Sequence, residues 1–321
     1  MVRQGIRRFH QVSRTKVPLR RSNIMDLAKR IRLSRVFSHP SKRLCSVAVD
    51  HFVGYQQRLP EGLTNLSDTI QKLVEGEPDA ITMFKGVAKG TWSPYAGSVS
   101  LIIQAVSFTV DDSLIQTLAE PEEVLRLGAD AIAVSIGVRG PNEGRFLGIL
   151  ADMVTQADRI GLPVIAHIYP RDFSNGTKIV FDHENIMWAV RCGVECGADV
   201  IKVPFTGSVE SYREIIATSP VPVVAAGGPR SGTLDEALQM MVKVVESGAR
   251  GGTIGRNVWG TSDPTLALQA FRAVIHDRMS AAEALAYAGL SKPRTNASGV
   301  VSLPDARVPS RDGKPKSVQR E

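Results

Sequence analysis

An α/β barrel of eight units, a (β/α)8 or TIM barrel carrying basic N- and C-terminal extensions, is the fold this sequence predicts, and three observations predict it. Eight short apolar or β-branched runs recur at intervals of 20–36 residues. Most are followed by a polar or glycine-bearing turn and then a helical pattern. The 321 residues, 43% of them hydrophobic, leave room for the ~250 residues that such a barrel takes. Strands buried on both faces read as continuous apolar stretches, and their alternation with helices implies right-handed parallel crossovers.

The eight runs are Leu44 to Val49, Ala80 to Phe84, Ser100 to Val106, Ala129 to Ile136, Pro163 to Ile168, Asp199 to Pro204, Val221 to Ala226 and Gly252 to Gly255. Between them, apolar period and capping residues predict helices over Asn65 to Glu75, Glu122 to Leu127, Asn142 to Ile160, Asp182 to Cys196, Thr233 to Ser247 and Pro264 to His276. The phrases LGAD (127–130) and CGAD (196–199) read as helix C-caps that feed directly into strands. After Met25, DLAKRIRLSRVF reads as a leading amphipathic helix.

The net charge of +7 is unevenly spread. Residues 1–43 hold 13 Lys and Arg against the single acid Asp26, residues 44–291 hold 19 against 28, and residues 292–321 hold 7 against 3. An acidic body with basic, aromatic-poor tails argues against nucleic acid as a partner. The domain reading is a basic, disordered extension over 1–24, the barrel over 25–290, and a disordered basic tail over 291–321. The arginine-rich, acid-free start also has the composition of an organellar transit peptide; a disordered arm, or translation starting at Met25, is preferred. No apolar run reaches the ~18–20 residues that span a bilayer, so no membrane partner is expected. Cys45, Cys192 and Cys196 read as ordinary buried thiols of a reducing, cytoplasmic compartment. His183 and His276, on helical faces, carry no site signal.

In such barrels the active site lies at the C-terminal ends of the strands. Asp50 and His51 fall after the first run, Lys85 after the second, Ser135 at the end of the fourth, and His167 and Tyr169 at the end of the fifth. Lys202 lies inside the sixth run, ADVIKVPF. Burial disfavours the ammonium form and frees an amine to attack a carbonyl as a Schiff-base nucleophile. A lysine that snorkels from the strand end or pairs with a carboxylate is the competing reading. Gly227 and Gly228 follow the seventh run, and Gly255 and Arg256 the eighth, where backbone N–H groups and a guanidinium form a phosphate site. His167 and Lys85 complete the substrate-binding candidates. No cluster of His, Cys and carboxylate shows metal-ligand spacing, so neither a metal nor another cofactor is expected.

Taken together, KRIRLSRVF (29–37), VAVDH (47–51), YPRD (169–172), GADVIKVPFTG (197–207), PVPVVAAGGPR (220–230) and GRNVWG (255–260) resemble the class I aldolases of the archaeal fructose-bisphosphate aldolase type, related to deoxyribose-phosphate aldolase and the autoinducer-2 thiolase. The resemblance implies that Lys202 forms the Schiff base, Tyr169 moves the proton and Asp50 is the active-site carboxylate after the first strand. It also implies that Gly227, Gly228, Gly255 and Arg256 hold phosphate, and that the chain forms a homo-oligomer. The chain departs from the family at Phe52, where glycine is usual, and at His167, where tryptophan is common. Both changes alter the pocket wall, while Tyr169 favours an aldolase over the thiolase branch. The expected activity is cleavage or formation of a C–C bond in a phosphorylated ketose such as fructose 1,6-bisphosphate. The alternatives are acyl transfer to coenzyme A or a deoxy-heptulosonate-type condensation on the same barrel, and, in another class, a phosphate-binding barrel without catalysis.

Overall fold

The computed structural model describes residues 22–51, 59–109 and 111–290. Most of the 1–24 extension, the 291–321 tail and Phe52 lie outside the described residues.

The eight runs become eight barrel strands: β1 (Leu44–Ala48), β2 (Ala80–Met83), β3 (Ser100–Phe108), β4 (Ala131–Val138), β5 (Val164–Asp172), β6 (Val200–Val203), β7 (Val223–Ala226) and β8 (Gly251–Ile254). Each pairs in parallel with its sequence neighbours, and β8 pairs with β1 through Leu44↔Gly251 to Val47↔Ile254, which closes the ring. Three strands run past the predicted ends, β4 reaching Val138 by pairing with Pro170 on β5. β3 continues to Phe108 because Ile115–Thr117 pairs with it antiparallel, and β5 continues to Asp172 because Lys178–Ile179 does the same. Ser135 and His167 therefore sit within strands rather than closing them. The apolar pattern stops short of these ends because backbone pairing, not burial of alternate side chains, extends them.

Around the ring run α1 (Ser22–Val36), α2 (Leu66–Glu75), α3 (Lys85–Thr91), α4 (Pro121–Arg126), α5 (Glu143–Arg159) and α6 (His183–Glu195). They are followed by α7 (Val209–Ala217), α8 (Leu234–Glu246), α9 (Arg256–Trp259), α10 (Pro264–Asp277) and α11 (Ala281–Tyr287). Caps fix several starts. Asn65, Asp182 and Asp263 accept the backbone N–H three residues on, and Thr233 forms a reciprocal capping box with Glu236, each cap adding ~1 kcal/mol. The sequence reading passed over α3, α7, α9 and α11. α9 is too short for a period to show, but α7 and α11 announce themselves by caps: Ser208 accepts from Ser211 N–H, and Ser280 and Glu283 form a second capping box.

Gly128 and Gly197 take left-handed φ of 78° and 84°, which confirms the two glycine C-caps. The aspartates that follow them act together at the far end of the barrel. Asp130 accepts from Arg35 (3.1 Å), and Asp199 from Lys29 (2.7 Å) and from Val164 N–H (2.8 Å). These contacts hold α1 across the N-terminal mouth, where Val36 and Phe37 pack onto Leu44, Ala80, Ile102, Ile165 and Val224. A second cluster, including Leu73, Phe146, Tyr212, Met241 and Phe271, fills the layer between strands and helices. With one mouth plugged, the C-terminal ends of the strands are left to form a site.

Candidate active site

The strand ends surround a cavity of about 310 Å³. Of the sequence candidates, Asp50, His51, Ser135, Tyr169, Lys202, Gly227, Gly228, Gly255 and Arg256 line it. Lys202 is only 5% exposed. Its register partners are His167 on β5 and Val224 on β7, so its side chain springs from the inner wall. No carboxylate pairs with it among the described residues, so the ion-paired alternative finds no partner there. Tyr169, on the same strand as His167, is the register partner of Gly137 on β4.

Two candidates do not line the cavity. Lys85 begins α3 and is held by Glu123 at 2.7 Å, a pairing that pulls the carboxylate below its ordinary value. His167 is 2% exposed and lies next to Lys202 within the wall. Burial, with a smaller contribution from the Lys202 charge, pushes its imidazole well below the ordinary value, so it is neutral. Its Nδ1 reaches the Ser135 hydroxyl at 3.5 Å. His51 packs edge-on against Trp259, with ring centroids 5.1 Å apart; burial is the main cause of its lowered pKa.

The glycine turns are built for close approach. A Cβ on Gly227 would lie 2.8 Å from the Ile254 Cα, and Gly228 adopts φ 74°. The residue that joins the two turns was missed by the sequence reading. Asn257, 6% exposed, donates through Nδ2 to the Gly227 and Pro229 carbonyls (2.9 and 3.0 Å) and accepts through Oδ1 from Ser231 N–H (2.9 Å). Its place directly after Gly-Arg was the only available signal, since its partners lie about 30 residues away. Trp259 adds a second brace by donating from Nε1 to the Ala48 carbonyl (3.0 Å). Ser107 and Phe108 also line the cavity and were not foreseen, because they stand on the unpredicted extension of β3.

Three comparisons bear on this site. The DeoC/LacD family aldolase model matches residues 44–261. The 2-amino-3,7-dideoxy-D-threo-hept-6-ulosonate synthase of Halobacterium salinarum is 33% identical over 269 residues, 83% of this chain and 98% of that one. The 2-amino-4,5-dihydroxy-6-oxo-7-(phosphonooxy)heptanoate synthase of Streptomyces griseus is 32% identical, covering 82% and 95%. Among solved structures, an archaeal fructose-1,6-bisphosphate aldolase with its catalytic lysine covalently bound to the carbinolamine intermediate is 25% identical. It superposes with a TM-score of 0.67 over 77% of this chain and 99% of that one. A fold alone would not assign chemistry; the family match spans every barrel strand and both glycine turns, and on that ground the chain belongs to the DeoC/LacD family and is a class I aldolase.

Proposed function

We propose that this aldolase forms a C–C bond between a phosphorylated keto donor and an aldehyde through an imine on Lys202. The observation that carries the reading is the convergence on one cavity of a buried lysine, which has no carboxylate partner among the described residues, with a tyrosine, an aspartate and two glycine turns. Lys202 Nζ attacks the donor ketone to give a carbinolamine, which loses water to an iminium. The iminium withdraws electrons from the adjacent C–H, and Tyr169 takes that proton to leave an enamine. The enamine carbon attacks the aldehyde, Tyr169 returns the proton to the developing alkoxide, and water releases the product and the free amine. Asp50 orients the hydroxyls of the substrate. Gly227, Gly228, Gly255 and Arg256 hold the phosphate.

The direction of synthesis is supported by the relatives. The product named for the S. griseus enzyme carries a 6-oxo group beside a 7-phosphonooxy carbon and a hydroxyl at carbon 4. A hydroxyl two carbons from a ketone is the mark of an aldol addition. Disconnection between carbons 4 and 5 gives dihydroxyacetone phosphate and a four-carbon 2-amino-4-oxo acid. Those relatives are more similar in sequence than the fructose-bisphosphate aldolase, and the condensation, an alternative in the sequence reading, now stands first. Cleavage of fructose 1,6-bisphosphate is the second reading. It is supported by the archaeal aldolase, and it runs through the same imine.

The test is to incubate the protein with dihydroxyacetone phosphate and a panel of aldehydes, including the 2-amino-4-oxo acid, and separately with fructose 1,6-bisphosphate. Products are identified by mass spectrometry, and the enzyme-bound imine is trapped with borohydride. Condensation with an adduct on Lys202 supports the reading. Turnover of fructose 1,6-bisphosphate alone moves the assignment to cleavage, and an adduct on another lysine overturns the mechanism.

A further inference from the structure

Asp112 is a buried carboxylate outside the cavity. It is 1% exposed and sits at φ 56°, in the left-handed region, within the turn that carries the chain from β3 into the short strand Ile115–Thr117. Its Oδ1 accepts from Arg171 Nε (3.3 Å) and Nη2 (3.1 Å), and Arg171 is itself 5% exposed. The same Nη2 donates to the Thr109 carbonyl (3.2 Å), and Asn142 Nδ2 donates to the Asp112 carbonyl (2.8 Å). Two glycines make room for the carboxylate: a Cβ on Gly137 would lie 3.0 Å from Oδ2, and one on Gly140 2.9 Å.

A buried ion pair contributes little net stability, because desolvation offsets most of the attraction. Its value here is geometric. Arg171 lies two residues beyond Tyr169 on β5, so the two side chains leave the same face of the strand. Between them stands Phe108. The guanidinium carbon is 4.8 Å from the Phe108 ring centroid, and that ring is tilted against Tyr169 with centroids 6.4 Å apart. The clamp therefore fixes the turn, the turn and the guanidinium fix Phe108, and Phe108 forms the wall against which the phenol rests.

We propose that Asp112 and Arg171 are positioning residues that set the Tyr169 ring for proton transfer, acting through Phe108. The inference rests on the role of Tyr169 given above. Neither side chain of the pair is among those lining the cavity.

The test is Asp112→Asn, which keeps the shape, removes the charge and tolerates left-handed φ. The expected result is a kcat about 10- to 100-fold lower, the scale on which a small misplacement of a catalytic group acts, with KM changed less than about twofold. Borohydride trapping of the dihydroxyacetone phosphate imine on Lys202 should keep its wild-type rate, because that step does not use the tyrosine's position over the reacting carbon. In a Tyr169→Phe background the same change should lower kcat by less than about twofold, since the group it positions is gone. Wild-type kcat in Asp112→Asn, an equal loss in the Tyr169→Phe background, or loss of trapping overturns the proposal. If Tyr169→Phe alone retains wild-type kcat, the proton-carrier reading has failed and this inference falls with it. A loss in Tyr169→Phe with none in Asp112→Asn overturns this inference alone. Should Asp112→Asn not fold, Phe108→Leu keeps the ion pair and removes the intervening ring; it should show the same loss and the same non-additivity, and wild-type kcat there counts against the proposal.

Discussion

His167 and Lys202 are Cα partners in the β5–β6 register, so two ionisable side chains start from the same level of the inner barrel wall. Burial, and to a smaller extent the neighbouring lysine, keeps the imidazole neutral. On unfolding, His167 regains its ordinary value near 6.5. Because its folded value is depressed, its neutral form supports the fold fully above pH 6.5 or so. That support is lost as pH falls from there toward the folded value, by up to ~1.4 kcal/mol per pH unit. Urea denaturation between about pH 4.5 and 7.5 checks this. His167→Gln, which cannot titrate, should flatten the acid-side slope by one proton, and identical slopes in both proteins would contradict the assignment.

Lys202→Met should abolish turnover, by a factor of about 10⁴ or more, and leave the fold intact. A thioether of similar length fills the same buried position, so the melting temperature should hold. Borohydride with a keto donor should label the wild type on Lys202 and leave the variant unlabelled. Labelling at Lys85 in either protein would sink the mechanism, and the Lys85 ammonium is already engaged by Glu123.

Arg256 stands exposed at the mouth of the cavity, so solvent screens its attraction for phosphate. Arg256→Ala should raise KM for a phosphorylated donor about tenfold, the lower end of what a charge-assisted hydrogen bond yields. The dephosphorylated analogue should be little affected. Equal effects on both compounds would show that the phosphate handle has been misplaced.

Asn257→Ala removes three hydrogen bonds and leaves the Gly227 and Pro229 carbonyls without their donor. Loss of a buried polar partner costs ~1–3 kcal/mol, so the midpoint of urea unfolding should fall. The phosphate KM should rise along with it, because the turns after β7 and β8 are no longer tied together. An unchanged KM in a destabilised protein would make Asn257 a structural brace alone.

Activity should survive EDTA. The imine supplies the electron sink that a metal would otherwise provide, and among the described residues no group of three His, Cys, Asp or Glu is placed to hold an ion. Loss of turnover in the chelator, with recovery on adding zinc, would require a different mechanism.

Much of this molecule was determined by local chemistry and so could be read in one dimension. Strands buried on both faces must be apolar throughout, which is why all eight barrel strands stood out as runs. Helices capped by Asn65, Asp182, Thr233 and Asp263 declared their starts through side chains that act within three residues. Lys202 was conspicuous because a charge in such a run violates the pattern. Tertiary structure decided what depends on partners far apart in the chain. Asn257 matters because it reaches Gly227, Pro229 and Ser231 across a strand and a helix. Lys85 and His167, plausible by position, were set apart from the cavity by an ion pair to Glu123 and by enclosure within the wall. Asp112 carried no local signal, and Arg171, though it stands in the YPRD segment, gave no hint of a partner 59 residues away. A polar residue in a turn reads as solvated until the fold closes over it, and only the closed barrel shows that this carboxylate is buried, paired and packed behind the ring that faces Tyr169.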